Sequence, residues 1–280
     1  MTKNKLKKTF SLGGDLTINR LGFGAMRITG PGIWGPPENE KEALRVLKRA
    51  IELDVNFIDT ADSYGPYISE ELIAKALYPY PKGLVIGTKG GLLRTGPNEW
   101  PIDASPKHLK EALEGSRKRL KIDRIDLYQL HRVDPAVPAE KTFEFLQKAQ
   151  QEGKIKHIGL SEVSVEDIKM AQQFFNVVSV ENRYNIGTRM WENVLEYCNN
   201  NEIAFIPWFP LDGGRTDNLK VLEKIANRHN ASMRQIALSW LYHHSSNILL
   251  IPGTSSVEHL EENMKVTSIE FTGADMKELS

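Results

Sequence analysis

Short apolar runs alternate with longer stretches of helical periodicity along almost the whole chain. The runs fall at residues 20–25, 55–59, 84–89, 125–131, 157–161, 177–182, 204–208 and 247–252. Each is brief and mostly apolar, as expected of parallel strands covered by helices. Between them, Ala43, Val46, Leu47, Ala50 and Ile51 form one apolar stripe of a helix over residues 42–53. Ser105 followed by Pro106 predicts another helix start, with serine as N-cap and proline in the first turn, running to Leu120. Ser164 and Ser232 stand where two more helices would be capped. Eight such units without a low-complexity linker predict an α/β fold, one closed (β/α)8 TIM barrel spanning residues 1–280 as a single domain. Ahead of the first unit, residues 9–12 and 16–18 flank Gly13-Gly14-Asp15, the signal of an N-terminal β-hairpin positioned to plug the barrel. Residues 219–245 carry two helical patterns with no strand between, which predicts an extra helix near the C-terminus.

Composition narrows the class. Basic and acidic residues balance at 36 each, so no global field favours nucleic acid or an anionic membrane as a partner. The run Lys3, Lys5, Lys7 and Lys8 reads as a solvated tail, and residues 9–18 are too polar for the core of a signal peptide. No apolar stretch is long enough to span a bilayer. Cys198 is the only cysteine, which excludes intrachain disulfides and a cysteine metal cluster. A soluble, cytoplasmic protein without a metal is the expectation.

Gly30-Pro31-Gly32-Ile33-Trp34-Gly35 satisfies the spacing G-x-G-x-x-G of a dinucleotide-binding turn, and Asp59 follows about one unit later. The chemistry argues otherwise. Pro31 removes a backbone donor from a loop that would have to offer donors to a pyrophosphate, and Pro36-Pro37 prevent the third glycine from lying inside a helix. A rigid loop at the barrel mouth is the better reading.

Four polar residues sit at or just beyond the carboxyl ends of successive strands: Asp59, Tyr64, Lys89 and His131. In a parallel barrel those ends converge on one face. Each alone has an ordinary alternative: a strand-end cap, a turn aromatic, an ion-paired lysine, a core histidine. Together they suit carbonyl reduction, which needs a proton donor to the developing alkoxide. Lys89 beside Tyr64 would bring the phenol down from its reference pKa of about 10, Asp59 would hold Lys89, and His131 would orient the carbonyl. Asp62, Tyr67 and Asp134 lie nearby and fit that chemistry less well.

At this point the chain resembles the aldo-keto reductase family. The resemblance rests on Phe57-Ile58-Asp59-Thr60-Ala61-Asp62-Ser63-Tyr64-Gly65, Thr88-Lys89-Gly90-Gly91, Asp126-Leu127-Tyr128-Gln129-Leu130-His131, Ile158-Gly159-Leu160-Ser161 and Ile251-Pro252-Gly253-Thr254-Ser255-Ser256. It implies a catalytic tetrad at Asp59, Tyr64, Lys89 and His131, and direct hydride transfer from NADPH, with NADH as the alternative donor. It further implies cofactor contacts from Met26, Arg27, Ser161, Glu181 and Trp208. Leu211, Gly213 and Gly214 would pass the pyrophosphate. Gly253, Thr254, Ser255, Ser256, His259, Glu262 and Asn263 would hold the adenosine end, where a helix N-terminus suits a phosphate; Ser256 also reads as a plain N-cap.

Three departures stand out. Glu181 replaces a glutamine common in relatives and Glu162 an asparagine; both would accept from the cofactor carboxamide but could not donate to it. Gly253 and His259 replace a lysine and an arginine, which should weaken the preference for NADP over NAD. Within the family, residues 21–26, 30–32, 35–37 and 76–80 are similar to bacterial pyridoxal reductase-like members, making pyridoxal the leading specific substrate. Trp34, Tyr67, Leu92 and Trp100, with Met26, are the expected pocket walls, equally readable as loop packing. The chain ends soon after the last helix, so an open, permissive site is expected. Two other readings stay open: an NADPH-sensing regulatory protein with little turnover, and a barrel enzyme using Lys89 as a Schiff-base nucleophile. A monomer acting on small carbonyl compounds is the default.

Overall fold

The computed structural model describes residues 7–211 and 219–279. Gly13-Gly14-Asp15 joins β1 (Thr9–Leu12) to β2 (Leu16–Asn19) as an antiparallel hairpin. Gly13 and Gly14 take left-handed backbone, with φ of 61° and 85°, which side-chain-bearing residues seldom adopt.

Seven strands then follow in chain order: β3 (Phe23–Gly24), β4 (Phe57–Asp59), β5 (Val85–Gly90), β6 (Ile125–Leu130), β7 (Ile155–Ser161), β8 (Val177–Arg183) and β9 (Ala204–Trp208). Each is parallel to its neighbour in one curled, barrel-like sheet. The expected eighth strand at 247–252 forms no ladder. It joins through isolated bridges, Ile248 to Phe205 and Leu250 to Leu21. Leu250 N–H donates to the Arg20 carbonyl over 2.8 Å, and Gly22 N–H donates to the Leu250 carbonyl over 2.7 Å. Pro252 has no N–H with which to continue the ladder. The segment also runs so near β3 that a Cβ on Gly24 would lie 2.5 Å from the Ile251 carbonyl oxygen. The buried Arg20 guanidinium secures this seam by donating to the carbonyls of Ile248 (2.9 Å), Tyr242 (2.8 Å) and Ser245 (2.5 Å).

The helices are α1 (Glu40–Glu52), α2 (Ile68–Leu77), α3 (Pro106–Leu120), α4 (Ala139–Gln151), α5 (Val165–Ala171), α6 (Glu192–Asn200), α7 (Leu219–His229), α8 (Met233–His244), α9 (Val257–Met264) and α10 (Gly273–Glu278). Their starts are written locally. Ser105 accepts the His108 amide at 3.2 Å, and Ser164 and Ser232 form capping boxes with Asp167 and Gln235. No strand separates α7 from α8, which accounts for the extra helix.

Strand alternation sorts the core. Phe57, Val85, Leu127, Ala204 and Ile206 point inward and pack with Leu12 and Ile18 of the hairpin, which plugs that end of the sheet. Burying Leu12 and Ile18 fully is worth about 1.5–3 kcal/mol each. Ile58 and Ile86 point outward beneath α1 and α2, and Tyr128 and Leu130 beneath α3 and α4. Residues 30–35 form a tight turn with a single 3₁₀ turn over Pro31–Ile33 and no α-helix: Gly30 N–H donates to the Gly35 carbonyl at 2.9 Å, and Trp34 bridges to Gly65. Among the described residues, no helix is long and apolar enough to cross a membrane, and no group of His, Cys, Asp and Glu is placed to hold a metal ion.

Candidate active site

The alternation that turns Phe57, Val85 and Leu127 inward also brings Asp59, Lys89, Gln129 and His131 to the inner face at the carboxyl ends of their strands. Register aligns them: Asp59 pairs with Gly87, Lys89 with Gln129, and Ser161 with Glu181. Tyr64 comes from the turn after β4, where its N–H donates to the Ala61 carbonyl over 3.2 Å.

The fully buried Lys89 ammonium has four oxygen neighbours. They are Asp59 Oδ1 at 2.5 Å, the Thr60 carbonyl at 3.0 Å, Glu181 Oε2 at 3.2 Å and the Tyr64 hydroxyl at 3.4 Å. Gln129 Nε2 donates to Asp59 Oδ2 at 3.2 Å and to Glu181 Oε2 at 2.9 Å, and Ser179 Oγ holds Gln129 Oε1 at 3.1 Å. Two acids therefore share one ammonium and one amide.

Burial works against the charge on Lys89, but Asp59 and Glu181 outweigh it and its pKa rises. Burial and the neighbouring Glu181 hold Asp59 well above the usual carboxylate range. Burial also raises the Tyr64 phenol, against the pull of Lys89. The downward shift expected for Tyr64 is thus reversed in the resting site, because desolvation exceeds the ammonium's effect. His131 packs edge-on against Tyr64, ring centroids 5.9 Å apart, with Nδ1 3.4 Å from Ser63 Oγ. Burial first, then Lys89 and Arg132, push its pKa well down, so the imidazole is neutral at pH 7.

A cavity of about 950 Å³ runs from Asp59, Tyr64 and His131 past Ser161, Glu181 and Trp208 to the loop entering α9. Met26, Arg27, Leu211, Gly253, Thr254, Ser255, His259 and Asn263 also line it, with Leu92 and Trp100 at the Tyr64 end. Other expected residues fall elsewhere. Ser256 caps α9, accepting the His259 amide at 3.4 Å. Glu262 turns to α8, where it accepts from Ser232 Oγ and faces Arg234 at 3.8 Å. Trp34 stands off the wall, with the Arg94 guanidinium 5.5 Å from its ring centre. Tyr67 is not a wall either: its left-handed backbone, φ 69°, sends the ring out to Arg119, 4.2 Å away. Gly213 and Gly214 lie outside the described residues. Glu162 does not face the cavity as expected. Its own left-handed backbone, φ 54°, turns it to Trp208 Nε1 and the Arg183 amide, each 2.6 Å from Oε1.

Sequence reasoning missed several residues. Arg132 donates to Ser161 Oγ at 3.0 Å, and its place directly after His131 was a usable signal. Met233 and Arg234 reach the cavity from α8, which nothing local announces. Arg94 organises the mouth. Its guanidinium donates to the carbonyls of Gly32 (3.0 Å), Ile33 (2.6 Å), Ser63 (3.0 Å), Gly96 (3.1 Å) and Glu99 (3.0 Å), and lies 3.7 Å from the Trp100 ring centre.

The chain is similar to several known proteins. The chain is 52% identical over 260 residues to an uncharacterized oxidoreductase of Schizosaccharomyces pombe, covering 92% of this chain and 85% of that one. It is 40% identical over 270 residues to pyridoxine 4-dehydrogenase of Escherichia coli, covering 94% of each. Among solved structures, an aldo/keto reductase from Klebsiella pneumoniae in complex with NADP and acetate superposes with a TM-score of 0.81 at 25% identity, covering 98% of this chain and 94% of that one. Residues 20–280 match the Aldo/keto reductase family, and the chain belongs to that family.

Proposed function

We propose that this protein reduces aldehydes and ketones to alcohols with NADPH, that Tyr64 is the proton donor, and that pyridoxal is its leading substrate. The observation that carries the reading is the Lys89 ammonium, 2.5 Å from Asp59 and 3.4 Å from the Tyr64 hydroxyl at the floor of the cavity.

The cavity residues fit a dinucleotide. Its volume of about 950 Å³ suits a ligand of that size. Trp208 offers a flat face and Ser161 a hydroxyl. Gly253 lets its loop lie against β3, since a Cβ there would lie 2.6 Å from the Gly24 carbonyl oxygen. At the far end Asn263 Oδ1 is buried without a hydrogen-bond partner among the described residues, ready to accept from an amine. Arg27, Arg234 and the start of α9 supply positive potential there, which supports the phosphorylated cofactor although Gly253 and His259 carry no fixed charge. When bound, the nicotinamide supplies the hydride.

The chain's own residues do the rest. Tyr64 gives its proton to the carbonyl oxygen, and Lys89, fixed by Asp59, stabilises the phenolate left behind. Neutral His131 orients that oxygen without competing as an acid. Leu92 and Trp100 line the cavity and offer apolar surface to an aromatic aldehyde, and the E. coli relative is a pyridoxine 4-dehydrogenase. We read the protein as a cytoplasmic monomer.

The test follows NADPH oxidation with pyridoxal and benzaldehyde side by side, with NADH in parallel. Faster turnover of pyridoxal is expected. Equal rates would leave a broad carbonyl reductase, and bound NADPH that no carbonyl oxidises would turn the reading to a cofactor sensor.

A further inference from the structure

Given the reading of the cavity as a nicotinamide site, we propose that Glu181 makes it prefer the oxidised, positively charged ring over the neutral reduced one, drawing hydride toward the carbonyl. Glu181 is almost wholly buried on β8 yet belongs to the cavity wall. Its carboxylate meets Lys89 Nζ at 3.2 Å and Gln129 Nε2 at 2.9 Å. Lys89 is already committed to Asp59 at 2.5 Å. Two carboxylates therefore face one ammonium, while Tyr64 and the neutral His131 add no charge. Arg132, the next cation along the wall, donates to Ser161 Oγ and the His131 carbonyl, to neither acid.

Among the described residues, the cluster thus sets two acids against one cation, and burial together with Glu181 already holds Asp59 well above the usual carboxylate range. An unmatched buried charge is unfavourable, and a cation arriving beside it relieves the penalty. Strand register places Glu181 between Ser161 and Trp208, the hydroxyl and the flat face read above as cofactor contacts. Ser161 is its cross-strand partner on one side; Ile206, two residues before Trp208, is its partner on the other. Glu181 then stabilises the positive charge that accompanies hydride departure, which speeds donation and slows release of the oxidised cofactor. Lys89, Gln129 and Asp59 would still be linked by a neutral side chain of the same shape, so charge can be separated from packing.

The experiment titrates wild type, Glu181→Gln and Glu181→Asp with NADP+ and NADPH separately, by quenching of tryptophan fluorescence near pH 8. In Glu181→Gln the preference for NADP+, taken as the ratio of the two Kd values, should fall about tenfold, or about 1.4 kcal/mol. Glu181→Asp, which keeps the charge, should stay within about threefold of wild type. If Glu181→Gln loses its circular dichroism signal, Glu181→Met is read in the same way. An unchanged ratio in the neutral variant, with both forms still binding, overturns the role of Glu181. Failure of wild type to bind either form overturns the cofactor reading instead.

Discussion

Trp208 donates its indole N–H to the Glu162 carboxylate over 2.6 Å. The bond reaches from the end of β9 to the residue after β7, across β8, and holds the ring against the cavity wall. Glu162→Ala would leave that ring free. NADPH affinity should then weaken about fivefold, the equivalent of about 1 kcal/mol for one hydrogen bond to a charged partner in a partly exposed place. Fluorescence titration measures it, and an unchanged Kd would mean that packing alone holds Trp208.

Tyr64→Phe should lower kcat by about 10³-fold, within the range for removing a positioned acid, and move the NADPH Kd by less than about twofold. Single-turnover kinetics with preloaded NADPH separates the two effects. Retention of a tenth or more of the activity would transfer the proton-donor role away from Tyr64.

His131 is held well below its ordinary value of about 6.5, first by burial. Below that ordinary value the unfolded chain takes up a proton that the folded chain refuses. Stability from this residue is therefore full above about pH 6.5 and is lost as pH falls toward the folded-state value, by at most about 1.4 kcal/mol per pH unit. Urea midpoints between pH 7.5 and 5.5 should decline more steeply for wild type than for His131→Gln. Parallel declines would place the acid sensitivity in other groups.

Arg94 ties the turns holding Gly32, Ser63 and Glu99 together and covers the Trp100 ring. Arg94→Ala should loosen the mouth and raise KM for an aromatic aldehyde about tenfold, with kcat changed less than about threefold, because the Lys89 cluster lies deeper. Arg94→Lys cannot span the same five carbonyls and should resemble the alanine variant. A fall in kcat with KM unchanged would contradict a role confined to the mouth.

What the chain determined by itself was local. Period-two alternation turned Asp59, Lys89 and His131 inward, serine and proline started the helices, and two glycines made the hairpin turn. Those patterns are short-range, so they can be read without knowing the closure of the sheet. The tertiary structure decided everything that depends on which distant backbones meet. Glu181 reaches Lys89 because β8 and β5 face one another across the curled sheet, three strands apart in its order. Arg94 finds its partners among carbonyls, which every residue carries and no sequence marks. Tyr67 and Glu162 turn away because each adopts a left-handed backbone that their residue types do not announce. The segment at 247–252 closes the sheet by bridges alone, since Pro252 and the close approach of Gly24 count only once the two ends have met.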